Sequence, residues 1–223
     1  MEEIVKKALL LVCCFALCNL TLLAQTGTES RVGHTDRSPV YVAPDGSSGW
    51  QTIFSNLGPP TDAYIGAYWL VDFTQQVGMA FTPTADAHVT QVQVAVEHFT
   101  GPKVMYVQIL SDSDGFPGTV LGGPVQVTKI PAGGTCCGLA TADFLPLQVY
   151  GAQRYWVIVT TPFAGPGTNF SGGWYWVNQG TTPPLSGNTG PGWSNVPTLA
   201  EGAFQVLGTW DATVITGDIT GDK

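Results

Sequence analysis

The sequence predicts an all-β protein: an antiparallel, two-sheet, jelly-roll-like sandwich after an N-terminal signal peptide. Three observations carry this expectation. Charged residues make up only 11% of the 223-residue chain, while Gly (28) and Pro (16) are plentiful. Ordinary globular domains carry about a quarter charged residues. Short apolar segments, several alternating with period two, are separated by Gly/Pro-rich turns. No amphipathic helix of useful length and no internal repeat breaks the pattern.

The leader comes first. Lys6 and Lys7 precede an apolar run from Ala8 to Ala24 (ALLLVCCFALCNLTLLA), and the chain turns polar at Gln25. A basic start, an apolar stretch and a small residue at the exit form the export pattern. Asn19 and Thr21 interrupt the run, which is slightly short for a membrane span. Cleavage after Ala24 is therefore expected over a retained anchor, with no further membrane span. The organisation read from the sequence is a signal peptide (1–24), a polar flexible arm (25–49), a β-sandwich domain (50–212) and a polar tail (213–223). The tail (TGDITGDK) lacks an apolar stretch with a basic stop, and Leu17 stands before Cys18 where a lipidation signal needs a small residue. The expected location is secreted, extracellular or at the cell surface, with the periplasm as the alternative compartment.

About 200 residues after cleavage suffice for one sizeable core. The net charge is −8. Behind the leader only Arg31, Arg37, Lys103, Lys129, Arg154 and Lys223 are basic. That is too sparse to track a phosphate backbone, so nucleic acid is excluded as a partner.

Val40 to Val42 could add an edge strand to the arm, and ordered structure is expected from Trp50. Ile53-Phe54 and Tyr64 to Phe73 supply apolar and aromatic pairs around Pro59-Pro60. In Thr90 to Phe99, Val92, Val94 and Val96 alternate with Gln91, Gln93 and Glu97, the period of a half-buried strand. Lys103 to Leu110 follows a Thr100-Gly101-Pro102 turn, and the short connection predicts an antiparallel pair of these two segments. Ser111 to Thr119 (SDSDGFPGT) reads as turn chemistry throughout. Val125 to Ile130, Phe144 to Gln148, Gly173 to Val177 and Ala203 to Leu207 read as further strands. Tyr155 to Thr160 (YWVIVT) is apolar on both faces, as in a central strand between layers. Thr181 to Pro197 reads as a long loop carrying Trp193.

Two of these stretches carry a family resemblance. Asp112-Ser-Asp-Gly-Phe-Pro-Gly118 with Leu121 resembles the S-D-x-x-G-x-P-G-x-x-L turn of the choice-of-anchor R type of bacterial surface domains. Leu147-Gln-Val-Tyr-Gly-Ala-Gln-Arg-Tyr-Trp-Val-Ile-Val159 is similar to that group's L-x-x-G-x-x-Y-W-V-V strand. The order also fits, from Phe81-Thr82 to a loop Trp before the last strand, over residues 50 to 210. The resemblance implies an exported bacterial β-sandwich module of undefined activity, with no catalytic residues to carry over. Members often have a separable C-terminal sorting segment, which this sequence does not display.

Enzyme chemistry is scarcely visible. There is no G-x-S-x-G elbow, H-E-x-x-H helix or phosphate-cradling loop. His88 and His98 fall at opposite ends of one expected strand, roughly 33 Å apart at the usual rise, too far to share a metal. Glu97 and Glu201 are the acids a glycosidase would need, and sequence does not say whether they converge with another carboxyl. Asp112 and Asp114 resemble the opening of a calcium loop, but the twelfth position is Gly123 where a bidentate Glu is required. An Asx-type turn is the plainer reading, and no cofactor is expected beyond that weak calcium motif.

Cys136 and Cys137 are the only cysteines behind the leader. In an oxidising compartment they form a vicinal disulfide, an intermolecular bridge, or buried thiols. The vicinal bond is preferred because neither has another partner in the mature chain. Trp174 and Trp176 share one strand face and Trp193 sits in the long loop. They are the candidate ligand-binding residues, since flat aromatic faces stack on sugar rings, whereas the alternative is that they fill the core. The expected function is a secreted, non-enzymatic module that binds polysaccharide or a cell-surface glycan. A divergent secreted hydrolase of lectin-like fold and a purely structural adhesion domain are the alternatives.

Overall fold

A computed structural model describes residues 49–162, 170–178, 185–188, 192–196 and 199–211. The expected leader (1–24), the expected arm up to residue 48 with its Val40–Val42 strand, and the expected tail (213–223) lie outside these residues. The described chain is all-β and sandwich-like, with antiparallel sheets. Its strands are β1 (Gln51–Ser55), β2 (Tyr68–Val71), β3 (Gln76–Phe81), β4 (Ala87–Val94), β5 (Val96–Thr100), β6 (Met105–Ser113) and β7 (Phe116–Val127). They continue as β8 (Ala140–Val149), β9 (Tyr155–Thr160), β10 (Ser171–Tyr175), β11 (Leu185–Asn188), β12 (Ser194–Asn195) and β13 (Phe204–Trp210). A four-stranded sheet has the order β1-β13-β4-β8, a six-stranded sheet β12-β11-β3-β9-β6-β7, and a small sheet β2-β10-β5.

One core lies between these sheets. Val92 and Val94 of β4 with Phe204 and Val206 of β13 meet Val77 and Met79 of β3, Val107 and Ile109 of β6, and Val157 and Val159 of β9. Period two explains which side chains enter: every second residue of each strand faces the partner sheet. The small sheet adds Trp69, Val71, Val96 and Trp174 to the same core. β9 buries both faces, as its sequence predicts. Trp156 and Ile158 point outward into a second cluster with Ala80 and Leu110, against which Trp193 packs.

The expected pairing of residues 90–99 with 103–110 does not form. β4 pairs with β8 and β13, β5 with β10, and β6 with β7 and β9. The cause is Ala95, where the chain leaves one sheet for another. Its N–H donates to Ala203 O (3.0 Å) and its carbonyl accepts from Tyr175 N (2.9 Å). The short turn after β5 therefore crosses between sheets instead of closing a hairpin. His88 and His98 accordingly lie in different sheets and not on one strand.

Residues 111–119 are mostly strand, a second correction. Only Asp114 (φ 54°) and Gly115 (φ 86°) form the turn between β6 and β7. Two successive left-handed residues match the twist of the flanking strands, which is why Asp-Gly closes the hairpin. β7 is an edge strand, so Pro117 and Pro124 remove no ladder bond that a neighbour needs. A third correction concerns 181–197: two short strands, β11 and β12, extend the six-stranded sheet within it.

Candidate functional site

Three polar constellations stand out, one on the surface and two buried. The surface one is built on the outer face of the four-stranded sheet. Antiparallel register aligns Thr209 of β13, His88 of β4 and Gln148 of β8 in one row. Directly paired residues share a face. The neighbours Ala87, Val89 and Val149 are fully buried, so the row faces outward. Asp211, two residues beyond Thr209, ties it together. Its Oδ1 lies 2.8 Å from His88 Nδ1, and its Oδ2 accepts from Gln148 Nε2 at 3.0 Å.

The same face continues inward as a chain of amides. Gln205 donates to Gln93 (2.5 Å), Gln93 to Gln91 (2.7 Å) and Gln91 to Asp143 (2.7 Å). Such a chain fixes side chains that would otherwise sample many rotamers, so the face is polar yet rigid. Two exposed aromatics flank the row. Trp50 (40% exposed) precedes Gln51, the partner of Gly208, on one edge. Tyr150 (51% exposed) follows Val149, the partner of Ala87, on the other.

The second constellation surrounds Glu97, which is 1% exposed. Tyr64 donates its hydroxyl to Oε1 at 2.9 Å, with Gly138 O at 3.1 Å, and the backbone N–H of Gly134 donates to Oε2. Burial first, and then the Glu97 carboxylate, hold the Tyr64 phenol far above its ordinary pKa, so it acts only as a protonated donor. Glu97 at Gly134 and Tyr64 at Gly138 thus fasten the two ends of the segment holding Cys136 and Cys137, which are joined by a disulfide. His98 N to Pro131 O (2.8 Å) and Gly133 N to His98 O (2.8 Å) lay the segment along β5.

The third is Glu201, also 1% exposed. Oε2 accepts from Asn56 Nδ2 at 2.7 Å, while Oε1 is buried with no partner. Burial pushes this carboxyl up from the ordinary 4.5 to about 8, the Asn56 hydrogen bond opposing. Three sheets meet here. Asn56, just past β1, also accepts from Phe204 N (2.7 Å); Val177, just past β10, donates to Glu201 O (2.9 Å); and Gly202 donates to Met79 Sδ of β3 (3.2 Å).

The residues singled out from sequence fare differently. Trp174 is fully buried, its indole N–H on Ala203 O (3.0 Å) and its ring edge-on to Phe204. It offers no face to a ligand, which corrects its assignment as a binding residue; its strand is covered by layers on both sides. Trp176 is half-buried beside Trp69, with ring centroids 6.1 Å apart. Trp193 is half-buried on the Trp156–Ile158 cluster. The three tryptophans therefore do not form one stacking surface.

Asp112 and Asp114 do not act together either. Asp112 is occupied by Trp156 Nε1 (2.8 Å) and Gly115 N (3.1 Å), with Arg154 at 3.8 Å, whereas Asp114 sits in the exposed hairpin turn. Among the described residues no group of three or more His, Cys, Asp or Glu side chains is placed to hold a metal ion. Trp50 and Tyr150 were missed because single aromatics at strand ends carry no periodic signal. Only the alternation around them, with His88 and Gln148 at outward positions, points to their face.

The fold and this outer face define an all-β, sandwich-like molecule with a polar, aromatic-flanked sheet surface. No protein-family model matches the chain, and no curated protein matches it.

Proposed function

We propose that this chain is an exported, non-enzymatic β-sandwich module of the jelly-roll kind that binds polysaccharide at the cell surface or outside the cell. The observation that carries the reading is the row Thr209–His88–Gln148, braced by Asp211 and flanked by Trp50 and Tyr150. Sugars need flat apolar faces for their C–H surfaces and fixed donors and acceptors for their hydroxyls, and this face supplies both. The export leader and the resemblance to bacterial surface modules agree with such a role.

Binding is favoured over hydrolysis by the placement of the two glutamates a glycosidase would use. Glu97 and Glu201, each 1% exposed, are engaged with Tyr64 and Asn56 and not displayed in a groove. Affinity electrophoresis and a glycan array test the proposal. Trp50→Ala and Tyr150→Ala should each weaken retention about tenfold, the effect of losing one well-placed aromatic contact. Retention unchanged in both variants would remove this face from the reading.

A further inference from the structure

Resting on the polysaccharide reading, we infer that this face selects uncharged polysaccharide laid across the strands, and discriminates against uronate-rich and sulfated chains. Three acids lie on or beside the sheet that carries it: Asp143 in β8, Asp86 just before β4 and Asp211 just after β13. The described residues contain three cations, Lys103, Lys129 and Arg154, and none lies in that sheet. Arg154 faces Asp112 at the β6–β7 hairpin (3.8 Å), and Lys103 reaches Ile130 O (3.4 Å). An anionic polymer would meet like charge here, and among the described residues no guanidinium stands on this face to grip its carboxylates or sulfates.

The free hydrogen-bonding groups suit hydroxyls. The His88 Nδ1 side is taken by Asp211, which leaves the other ring nitrogen for a ligand. Gln148 Nε2 is committed to Asp211 (3.0 Å), Val149 O (3.2 Å) and Ala87 O (3.3 Å), so its carbonyl oxygen remains to accept. Thr209 adds an exposed hydroxyl that both donates and accepts. From β1 to β8 there are three interstrand steps, roughly 14 Å, enough for about three pyranose rings between the two aromatics.

The test is affinity electrophoresis of the exported chain in gels containing a neutral glucan, a neutral mannan or polygalacturonate, at low and high salt. The expected result is retention by a neutral polymer that salt leaves unchanged, with polygalacturonate at least about tenfold weaker at low salt and gaining as salt screens the repulsion. Retention by polygalacturonate as strong as by the neutral polymers, and lost in Trp50→Ala, would overturn the selectivity while leaving polysaccharide binding intact. No retention by any polymer would overturn both. Retention that neither Trp50→Ala nor Tyr150→Ala weakens would overturn the assignment to this face.

Discussion

Replacing Glu201 by Gln should flatten the pH dependence of stability and make the protein more stable in mild alkali. In the fold the carboxyl is pushed from 4.5 to about 8, chiefly by burial. A raised acid is bound to its proton more tightly in the folded chain than in the unfolded one. Its contribution is therefore complete below about 4.5 and is lost as pH rises through 8. At about 1.4 kcal/mol per pKa unit, the loss over that window is on the order of 5 kcal/mol. That is a large share of the ~5–15 kcal/mol that holds a domain folded. Gln is isosteric with the protonated acid: its carbonyl can take Asn56, and its amide fills the position of the orphaned Oε1. Chemical denaturation from pH 4 to 9 reads the effect. The wild type should weaken steadily between pH 5 and 8, while Glu201→Gln stays nearly level and melts roughly 10 °C higher at pH 8.5. Parallel curves, or a Gln variant weaker at every pH, would refute the burial argument.

Other perturbations read other parts of the fold. Tyr64→Phe removes a donor from the buried Glu97 and should lower stability by ~1–3 kcal/mol in urea titration, the usual penalty for a polar group left short of a partner. Gly208→Ala would set a Cβ 1.9 Å from His88 O, a backbone atom with no room to yield. That variant should lose about 3 kcal/mol or more and part β13 from β4, visible as loss of soluble, cooperatively melting protein. The peptide containing Cys136 and Cys137 should resist alkylation until a dithiol is added and then take two labels, read by mass spectrometry.

What the sequence could convey was local. Tyr155 to Thr160 reads directly as a central strand, because apolar residues on both parities need two covering layers. Val92 and Val94 likewise declare an inward face. Pairing was less legible, since it depends on where the chain changes sheets, and Ala95 announces nothing beyond its small size. The Ser111–Thr119 stretch misleads because its turn formers are spread over nine residues, while only Asp114 and Gly115 adopt turn dihedrals. The surface site was hidden for a related reason. Trp174 attracts attention by residue type, yet exposure is decided by neighbours that come from β5, β2 and β13. Trp50 and Tyr150 become a pair only once β1 and β8 stand at opposite edges of one sheet.

The placement of β1 beside β13 also has a mechanical meaning. The strands run antiparallel, with Gln51 opposite Gly208, so the chain enters and leaves the domain at the same end of one sheet. Tension applied through the two flanks would pull these neighbours apart like a zipper, breaking their hydrogen bonds one after another. Shear, which loads all the bonds at once, is avoided. Trp50 and Asp211 stand at the first teeth of that zipper. A tethered copy under load would therefore part with Trp50 and Asp211, and with the face proposed to bind, well before its core.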